Sequence, residues 1–311
     1  MDFRQLRYYA QIVESGSFAK ASRQLFIAQP GLSLQLAKLE EEVGKPLLIR
    51  SHKGVTPTEN GLALYHHAKF ILRQIDQALS IARQESNEVK GMVSIGLPST
   101  TMSALGQPLV TAIRARYPGI LLNVVEGMSG HLSQMLRSGQ LDMAMLFNAA
   151  AAPDLSKTPI IEEELFVMIS ASSKLIASRR TKITLAEAAR LPLILPTSSH
   201  GLRQRIANEF ETRNLTPHII AEIDSLSLLM NCVADDMGAT IKPMAALLNK
   251  GSQRGNWRAI SLSDATLNRR NYLYTAQETL LSPAAALIAA EIKQLVRTLV
   301  ETKKWPAVKL L

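Results

Sequence analysis

Apolar side chains recur three and four residues apart through the first part of the chain, which is the spacing of helices with one buried face. The pattern predicts helices over residues 3–14, 18–25 and 29–43. Ser17 is a suitable N-cap for the second helix. Residues 26–28 leave only a tight turn before the third helix. Two helices joined in this way form a packing unit that is common in proteins and that binds DNA in some of them.

Residues 47–57, LLIRSHKGVTP, break the helical pattern with a short apolar run and a Ser-His-Lys-Gly turn, which predicts a β-hairpin. A heptad pattern then predicts a long helix over residues 59–87. Its apolar stripe is too long and too narrow to serve only a small domain, so we interpret it as a dimerisation helix. The alternative is a helix that lies on the chain's own C-terminal domain. The stripe consists of Tyr65, Ala68, Leu72, Ile75 and Leu79.

From residue 90 the pattern changes to short apolar runs, typical of buried strands, with helical stretches between them. This alternation predicts α/β units and a largely parallel sheet. The predicted strands are 92–97, 121–125, 142–146, 165–170, 193–195, 218–223 and 239–241, and the predicted helices are 102–117, 131–138, 202–213, 226–236 and 283–301.

Composition narrows the class of protein. The chain has 311 residues, 47% apolar and 20% charged, as expected for a globular protein of two or three domains. Its net charge of +9 favours a polyanionic partner, but residues 1–90 hold 12 Lys or Arg and 9 Asp or Glu, so charge alone does not locate a DNA site. The single cysteine and the lack of a signal-peptide pattern or a long apolar run predict a cytoplasmic protein without a membrane partner.

The beginning of the third helix carries small or polar side chains, so nothing bulky keeps it out of a DNA major groove. Gln29 has an amide that can pair with adenine through two hydrogen bonds, and Ser33 can bond a base or a phosphate. Arg50 and Lys53 in the hairpin are suited to hold flanking phosphates. The predicted DNA-binding residues are Gln29, Pro30, Gly31, Ser33, Leu34, Gln35, Lys38, Arg50, His52 and Lys53.

The segment GSFAKASRQLFIAQPGLSLQLAKLEEEVGKPLLIR, followed by GVTPTENG, resembles the N-terminal domain of LysR-type transcriptional regulators. Two C-terminal segments, SGQLDMAML at 138–146 and DMGATIKP at 236–243, also resemble that family. The resemblance implies an α/β multidomain fold, with an N-terminal winged helix-turn-helix, a long linker helix and a two-lobed effector domain like a periplasmic binding protein. The expected parts are the DNA-binding domain 1–58, the linker or dimerisation helix 59–89 and the effector domain 90–311, with lobe I at about 90–162 and 267–302 and lobe II at about 163–266.

The resemblance also implies a function. It predicts a regulator that binds double-stranded DNA at an interrupted palindrome and acts as an activator, a repressor or both. It implies self-association to a dimer or tetramer, and RNA polymerase as a further partner. Within the family, the segments VSIGL at 93–97 and MGAT at 237–240 resemble the branch that controls nitrogen assimilation. The resemblance to that branch implies a regulator that acts without an effector.

Three residues depart from the family pattern. Gly31 replaces the usual Ala, which costs up to ~1 kcal/mol of helix propensity. Leu34 replaces a polar or basic residue, and it either contacts a thymine methyl group or packs beside the hairpin. Lys242 replaces an apolar residue before Pro243. We favour a side chain that reaches solvent, and the alternative is a cation presented to an anionic effector.

Two predicted strands, 92–97 and 193–195, run into segments rich in hydroxyl groups. Ligands of doubly wound domains bind beyond the carboxyl ends of strands, so these segments predict a site for a small organic effector of unknown identity. The alternative is that the hydroxyls only cap helices. The family resemblance adds Ser129 and Phe147. The predicted effector-binding residues are Ser99, Thr100, Thr101, Ser129, Phe147, Thr197, Ser198 and Ser199.

The sequence motifs do not indicate a catalytic function. The sequence lacks the patterns of phosphate-binding loops, dinucleotide folds and serine hydrolases, and its six histidines lack metal-ligand spacing. Cys232 lies in an apolar helical run and is predicted to be a core residue. We therefore expect no catalytic residue, no metal and no cofactor. The competing hypothesis is a ligand-binding module of the solute-receptor class, whose helical head only mediates assembly.

Overall fold

The computed structural model describes residues 1–52, 54–82, 89–147, 155–198, 200–248, 257–276 and 281–311. These residues form two compact units. The first comprises Met1–Asn87 and Met135–Leu141, and the second comprises Glu88–Gln134 and Asp142–Leu311.

The first unit contains the predicted helical head. Its elements are α1 (Phe3–Ser15), α2 (Phe18–Leu25), α3 (Gln29–Val43), the hairpin strands β1 (Leu48–Ser51) and β2 (Gly54–Pro57), and α4 (Glu59–Ala82). The three short helices and the hairpin, called the wing below, are confirmed. The long helix is confirmed over 59–82, and its predicted end at 83–87 lies outside the described residues.

Local chemistry sets the ends of these helices. Asp2 and Gln5 form a capping box at the start of α1, and Gly16 ends that helix in the left-handed conformation (φ 59°). The Glu40 carboxylate accepts hydrogen bonds from the backbone of Leu47 and Leu48, at 2.7 and 3.2 Å, and so fixes the wing to α3. Gly61 is required by close packing, because a Cβ there would lie 2.0 Å from the Leu47 carbonyl oxygen.

The second unit follows the α/β pattern with more strands than predicted. Its strands are β3 (Gly91–Leu97), β4 (Ile120–Glu126), β5 (Met143–Phe147), β6 (Leu155–Ser170), β7 (Lys182–Ile183), β8 (Leu193–Leu195), β9 (Ile219–Glu222), β10 (Thr240–Pro243), β11 (Trp257–Leu262), β12 (Asn268–Ala276) and β13 (Val308–Leu310). Its helices are α5 (Ser99–Thr101), α6 (Gln107–Arg116), α8 (Leu185–Arg190), α9 (Gly201–Thr212), α10 (Leu226–Ala234) and α11 (Pro283–Glu301). A further helix, α7 (Ser129–Arg137), begins in the second unit and ends among the residues assigned to the first.

The expectation of a largely parallel sheet is wrong. Parallel pairing links β3 to β4 and β5, but the long strand β6 pairs antiparallel with β10, β11, β12 and β13. The first half of β6, residues 155–164, escaped prediction because its sequence LSKTPIIEEE lacks a continuous apolar run. A polar strand paired on both edges has no such signal.

Two main cores occupy the second unit, one for each lobe. The first packs α6 and α11 against β3 and β5, and includes the fully buried Trp305. The second packs α8 and α9 against β6 and β8. A smaller core beside the second holds α10. Cys232 packs against it but is only half-buried, so the prediction that it is a core residue is wrong about its burial. In the part of the chain that the structure describes, no helix is long and apolar enough to span a bilayer.

Candidate DNA-binding surface and effector cleft

The exposed start of α3 is the centre of the head's surface. Ala28 occupies its N-cap position and provides no side-chain cap, and Pro30 lies in its first turn. Gln29, Pro30 and Gly31 are all exposed. Because uncapped backbone N–H groups at a helix N-terminus attract anions, this end of α3 is chemically suited to a phosphate backbone and to base edges beside it.

The other predicted side chains on α3 differ in exposure. Lys38 is exposed, whereas Ser33 and Gln35 are half-buried. The Gln35 amide oxygen accepts a weak hydrogen bond from Gln5, at 3.4 Å. Leu34 is 55% exposed, so the interpretation that it packs beside the wing is wrong.

Arg50 of the wing lies against α2. The Arg50 guanidinium lies 4.5 Å from the centre of the Phe18 ring, a cation–π contact that limits where the charge can point. His52 is exposed at the turn. Lys53 lies outside the described residues.

The turn between α2 and α3 adds a residue that the sequence analysis missed. The Ser22 hydroxyl donates to the Ile27 carbonyl oxygen at 2.6 Å and closes the turn. Phe26 adopts a left-handed conformation (φ 56°) and is 96% exposed, beside the start of α3. A left-handed aromatic residue in a tight turn has no apolar periodicity that could reveal it.

The apolar stripe of α4 is divided between two environments. Ala68 is fully buried, and Tyr65 packs on the core of the head while donating to Glu14 at 3.1 Å. Burial and the Glu14 charge raise the pKa of Tyr65 to about 12. Leu72 and Ile75 are half-buried, and Leu79 is 45% exposed. The first positions of the stripe therefore serve the head itself, and only the last is largely open.

In the second unit, the hydroxyls of Thr100 and Thr101 are buried and bonded to β12. Arg269 donates to the Thr100 hydroxyl at 2.6 Å, and Asn271 donates to the Thr101 hydroxyl at 3.2 Å. The N-cap of this helix is Pro98, without a side-chain cap, so the interpretation of these hydroxyls as helix caps is wrong. They lie within the first helical turn instead of preceding it.

Arg269 joins the Thr100 hydroxyl to two further side chains, Glu163 and Phe147. Its guanidinium donates to Glu163 at 2.9 Å and lies 3.7 Å from the centre of the Phe147 ring. The other Glu163 oxygen accepts from the Trp305 indole at 3.2 Å. Burial lowers the pKa of Arg269, and the Glu163 charge opposes that shift. Since both charges are buried, each depends on the other for compensation.

The second hydroxyl-rich segment follows β8. Thr197 donates its backbone N–H and its hydroxyl to Asp224, at 2.9 to 3.0 Å. His200, and not a hydroxyl residue, caps α9, because its Nδ1 accepts the Leu202 N–H at 3.1 Å. Burial, with the nearby charges of Lys242 and Arg269, lowers the pKa of His200 to about 4. Ser198 is exposed, and Ser199 lies outside the described residues.

Lys242 lies at the carboxyl end of β10 and is only 4% exposed. The expectation that its side chain reaches solvent is therefore wrong. β10 runs parallel to β8 at the bridge between Leu193 and Ala239, so Lys242 and the segment after β8 lie at the same edge. Burial and the Arg269 charge lower the pKa of Lys242 to about 7, and Asp224 opposes the shift.

Two predicted residues have looser surroundings. Ser99 is half-buried and accepts at its backbone oxygen from the Ser103 hydroxyl, at 2.9 Å. Ser129 has a buried hydroxyl without a hydrogen-bond partner among the described residues. Both begin helices that follow parallel strands, at the edge where the carboxyl ends of β3 and β4 meet.

Family comparison agrees with this arrangement of a helical head and a two-lobed domain. Residues 3–62 match the model of the bacterial regulatory helix-turn-helix proteins of the lysR family, and residues 86–297 match that of the LysR substrate binding domain. The chain belongs to the LysR family of transcriptional regulators. It is a DNA-binding regulator of that family, and its relatives are regulators and not enzymes.

Individual relatives narrow the position of this LysR-family chain. It is 35% identical to the nitrogen assimilation regulatory protein nac of Klebsiella aerogenes, over 95% of both chains. It is 32% identical to the protein of the same name from Escherichia coli K12, over 99% of this chain and all of the relative. The resemblance to the nitrogen assimilation branch is confirmed by these matches.

Solved structures agree on the LysR fold. A full-length OxyR variant from Pseudomonas aeruginosa matches with a TM-score of 0.73 at 21% identity, over 96% of this chain and 95% of that one. CbnR, a LysR family transcriptional regulator, matches with a TM-score of 0.69 at 17% identity, over 95% and 99%. The expected architecture of winged head, linker helix and two-lobed domain is confirmed.

The residues that connect the cleft of this LysR-family regulator were mostly missed from the sequence. Apart from Lys242, none was singled out for this site. All of them except His200 lie far along the chain from the hydroxyls after β3 and β8. Arg269 and Thr100, for example, are 169 residues apart. The missed side chains are Glu163, His200, Asp224, Arg269, Asn271 and Trp305.

Proposed function

We propose that α3 reads a specific DNA sequence with Gln29, Ser33 and Leu34, while Arg50, His52, Lys38 and Lys53 hold the phosphate backbone. The exposed, uncapped start of α3 beside the wing carries this proposal. Gln29, whose amide can pair with adenine, and Ser33, which can bond a base or a phosphate, stand about one helical turn apart. Leu34 follows Ser33 with an apolar side chain suited to a thymine methyl. Pro30, Gly31 and Gln35 complete the surface that approaches the groove.

Self-association would place two such heads on the half-sites of an interrupted palindrome. The open end of the α4 stripe, at Leu79 with the half-buried Leu72 and Ile75, supports a paired linker helix. The second unit adds exposed apolar side chains on its edge strands, Leu121 on β4 and Ile220 on β9. We propose a homodimer that assembles further to a tetramer.

Each part of the chain would then have its own role. We propose residues 1–58 as the DNA-binding domain, 59–89 as the dimerisation helix and 90–311 as the effector domain, which also communicates with RNA polymerase. Lobe I is proposed at about 90–162 and 267–302, and lobe II at about 163–266. The two separate cores around α11 and around α9 support this division of the effector domain. A DNA target implies a cytoplasmic location.

The cleft between the lobes is the proposed effector site. Thr100, Thr101 and Phe147 line it from one side, with Ser99 and Ser129 at the neighbouring strand ends. Thr197, Ser198 and Ser199 belong to the opposite segment after β8.

Footprinting on fragments recovered by genome-wide mapping of bound DNA tests the regulatory function. We expect discrete protection of an interrupted palindrome, lost progressively as salt is raised because phosphate contacts release counterions. Protection that spreads evenly over all fragments would contradict the proposal.

The solute-receptor hypothesis makes the opposite prediction for a truncated chain. Deletion of residues 1–58 should abolish regulation if the head reads DNA. Full biological activity of the truncated chain would favour assembly as the head's role.

A further inference from the structure

Buried charges in the second unit are compensated, with one exception. Asp142 accepts the Ser94 N–H, Glu163 pairs with Arg269, and Glu291 pairs with Arg116. Lys242 is the remaining buried charged side chain among the described residues, and no hydrogen bond or ion pair of the described chain reaches its ammonium. A buried cation without a partner is costly, so this position requires an explanation beyond packing.

The groups around Lys242 are already committed. The Arg269 charge faces Glu163, and both Asp224 oxygens accept from Thr197. His200 uses Nδ1 as an acceptor, which leaves its proton on Nε2 as a donor. The charges that act on the pKa of Lys242 are those of Arg269 and Asp224. The charges of Lys242 and Arg269 in turn lower the pKa of His200. Asp224 is therefore the one anion that acts on Lys242 among the described residues, but its oxygens already accept from Thr197 and it forms no ion pair with the ammonium.

A second feature points toward a ligand. Arg269 and Asn271 lie two residues apart on β12, so their side chains share one face of the strand. The Asn271 amide oxygen is buried and has no hydrogen-bond partner in the described structure. Besides the cation, the second unit thus holds an unsatisfied acceptor two residues from Arg269, whose charge acts on Lys242.

We propose that Lys242 anchors the carboxylate of a small organic acid in the cleft, which makes this chain responsive to an acidic metabolite. The inference rests on the proposed effector site and specifies its ligand class. Because Lys242 and Thr100 are 4% and 6% exposed, a small acid is favoured over a large one. The carboxylate of the bound acid would accept hydrogen bonds from the Lys242 ammonium and from the His200 Nε2–H. A second polar group of the same acid could donate to the Asn271 amide oxygen.

Proton uptake provides a direct test, because the pKa of free Lys242 is lowered to about 7. At pH 8 most of the free protein has a neutral Lys242, and binding of an anion must bring a proton to it. We would titrate the full-length protein with sodium acetate, lactate, succinate, glutamate and benzoate by calorimetry, in HEPES and in Tris. At least one acid should bind with uptake of about one proton per site.

Lys242→Met removes the charge and keeps the length of the side chain. It should weaken binding of that acid by at least about tenfold and abolish proton uptake, as expected for loss of a charge-assisted bond. Lys182→Met, at an exposed position of β7 in the same lobe, should preserve both.

Three outcomes would overturn the proposal. They are failure of all five acids to bind, binding that survives Lys242→Met with no proton uptake in the wild type, and binding of inorganic phosphate alone. Footprinting of the same variant separates this proposal from the regulatory function. Lys242→Met should retain the specific footprint without added acid, whereas loss of specificity in the wild-type protein would refute the regulatory function alone.

Discussion

The DNA-reading head and the effector cleft use polar side chains in opposite ways. In the head, Gln29 and Lys38 are exposed and come from one short helix. In the cleft, Thr100, Glu163 and Arg269 are buried, bonded to one another and drawn from distant parts of the chain. The proposed DNA-binding surface is open, as contact with a large polyanion requires, whereas the proposed effector site consists of buried charges that are paired, with the exception of Lys242.

The largest expected effect comes from removing that compensation. Glu163→Gln leaves the Arg269 charge buried without its counter-ion, and we expect a loss of about 3 kcal/mol in the free energy of unfolding. Urea unfolding followed by tryptophan fluorescence measures it, because Trp257 and Trp305 both lie in the second unit.

The neighbouring residue provides a matched control. Glu162 pairs with Arg270, whose side chain is 57% exposed, and Glu162→Gln should cost less than about 1 kcal/mol. Equal losses in the free energy of unfolding for the two substitutions would refute the claim that the buried ion pair matters more to stability than the exposed one.

Lys242→Met should sharpen the contrast through its pH dependence. Folding lowers the pKa of Lys242 to about 7, so the unfolded chain holds more protons between pH 7 and pH 10.5. The stability of the wild type therefore rises with pH over that range, and the penalty of the buried charge is full below pH 7. The stability advantage of Lys242→Met over the wild type should be about 2 kcal/mol larger at pH 6 than at pH 9. Thermal unfolding without ligand at both pH values tests this, and an advantage independent of pH would contradict the buried cation.

Gln29→Ala tests the exposed surface. We expect a loss of about 1–3 kcal/mol in the discrimination between the specific site and single-base variants of it, because the amide contacts a base edge. Competition binding with these sites measures the loss. Gln74→Ala, at an exposed position on α4, is the control and should leave discrimination unchanged.

Arg50→Ala should have the smallest and least selective effect. Loss of a phosphate contact weakens all DNA sequences alike and lowers the slope of binding against salt by about 1. Lys45→Ala, at an exposed residue just beyond the far end of α3, should leave the slope unchanged. A change confined to the specific site would assign Arg50 to base reading instead.

The head could be predicted almost completely from the sequence, because its signals are local. The apolar spacing of α1 to α3, the Ser17 cap and the turn of the wing all act within a few residues. The conformation of Phe26 and the division of the α4 stripe were not accessible in this way. The division of the stripe depends on how α4 packs against α1, as the bond from Tyr65 to Glu14 illustrates.

The cleft could be predicted only in outline. The hydroxyls after β3 and β8 indicated where strands end, but their partners lie 27 to 170 residues away. The sequence predicts a solvent position for Lys242, because a long cationic side chain can extend out of a strand end. Only the packing of β10 reveals its burial. Long antiparallel pairing of β6 with β12 brings Glu163 and Arg269 together, and that pairing had no apolar pattern to predict it.

Sequence-specific DNA reading by α3 is the central claim, and the ratio of two affinities tests it most directly. The affinity of the full-length protein for its footprinted site should be compared with that for a scrambled duplex of the same length and composition, at physiological salt. We predict a ratio of at least about 10³. A ratio near one would contradict the claim, since it would mean that the head binds DNA through charge alone, without regard to its sequence.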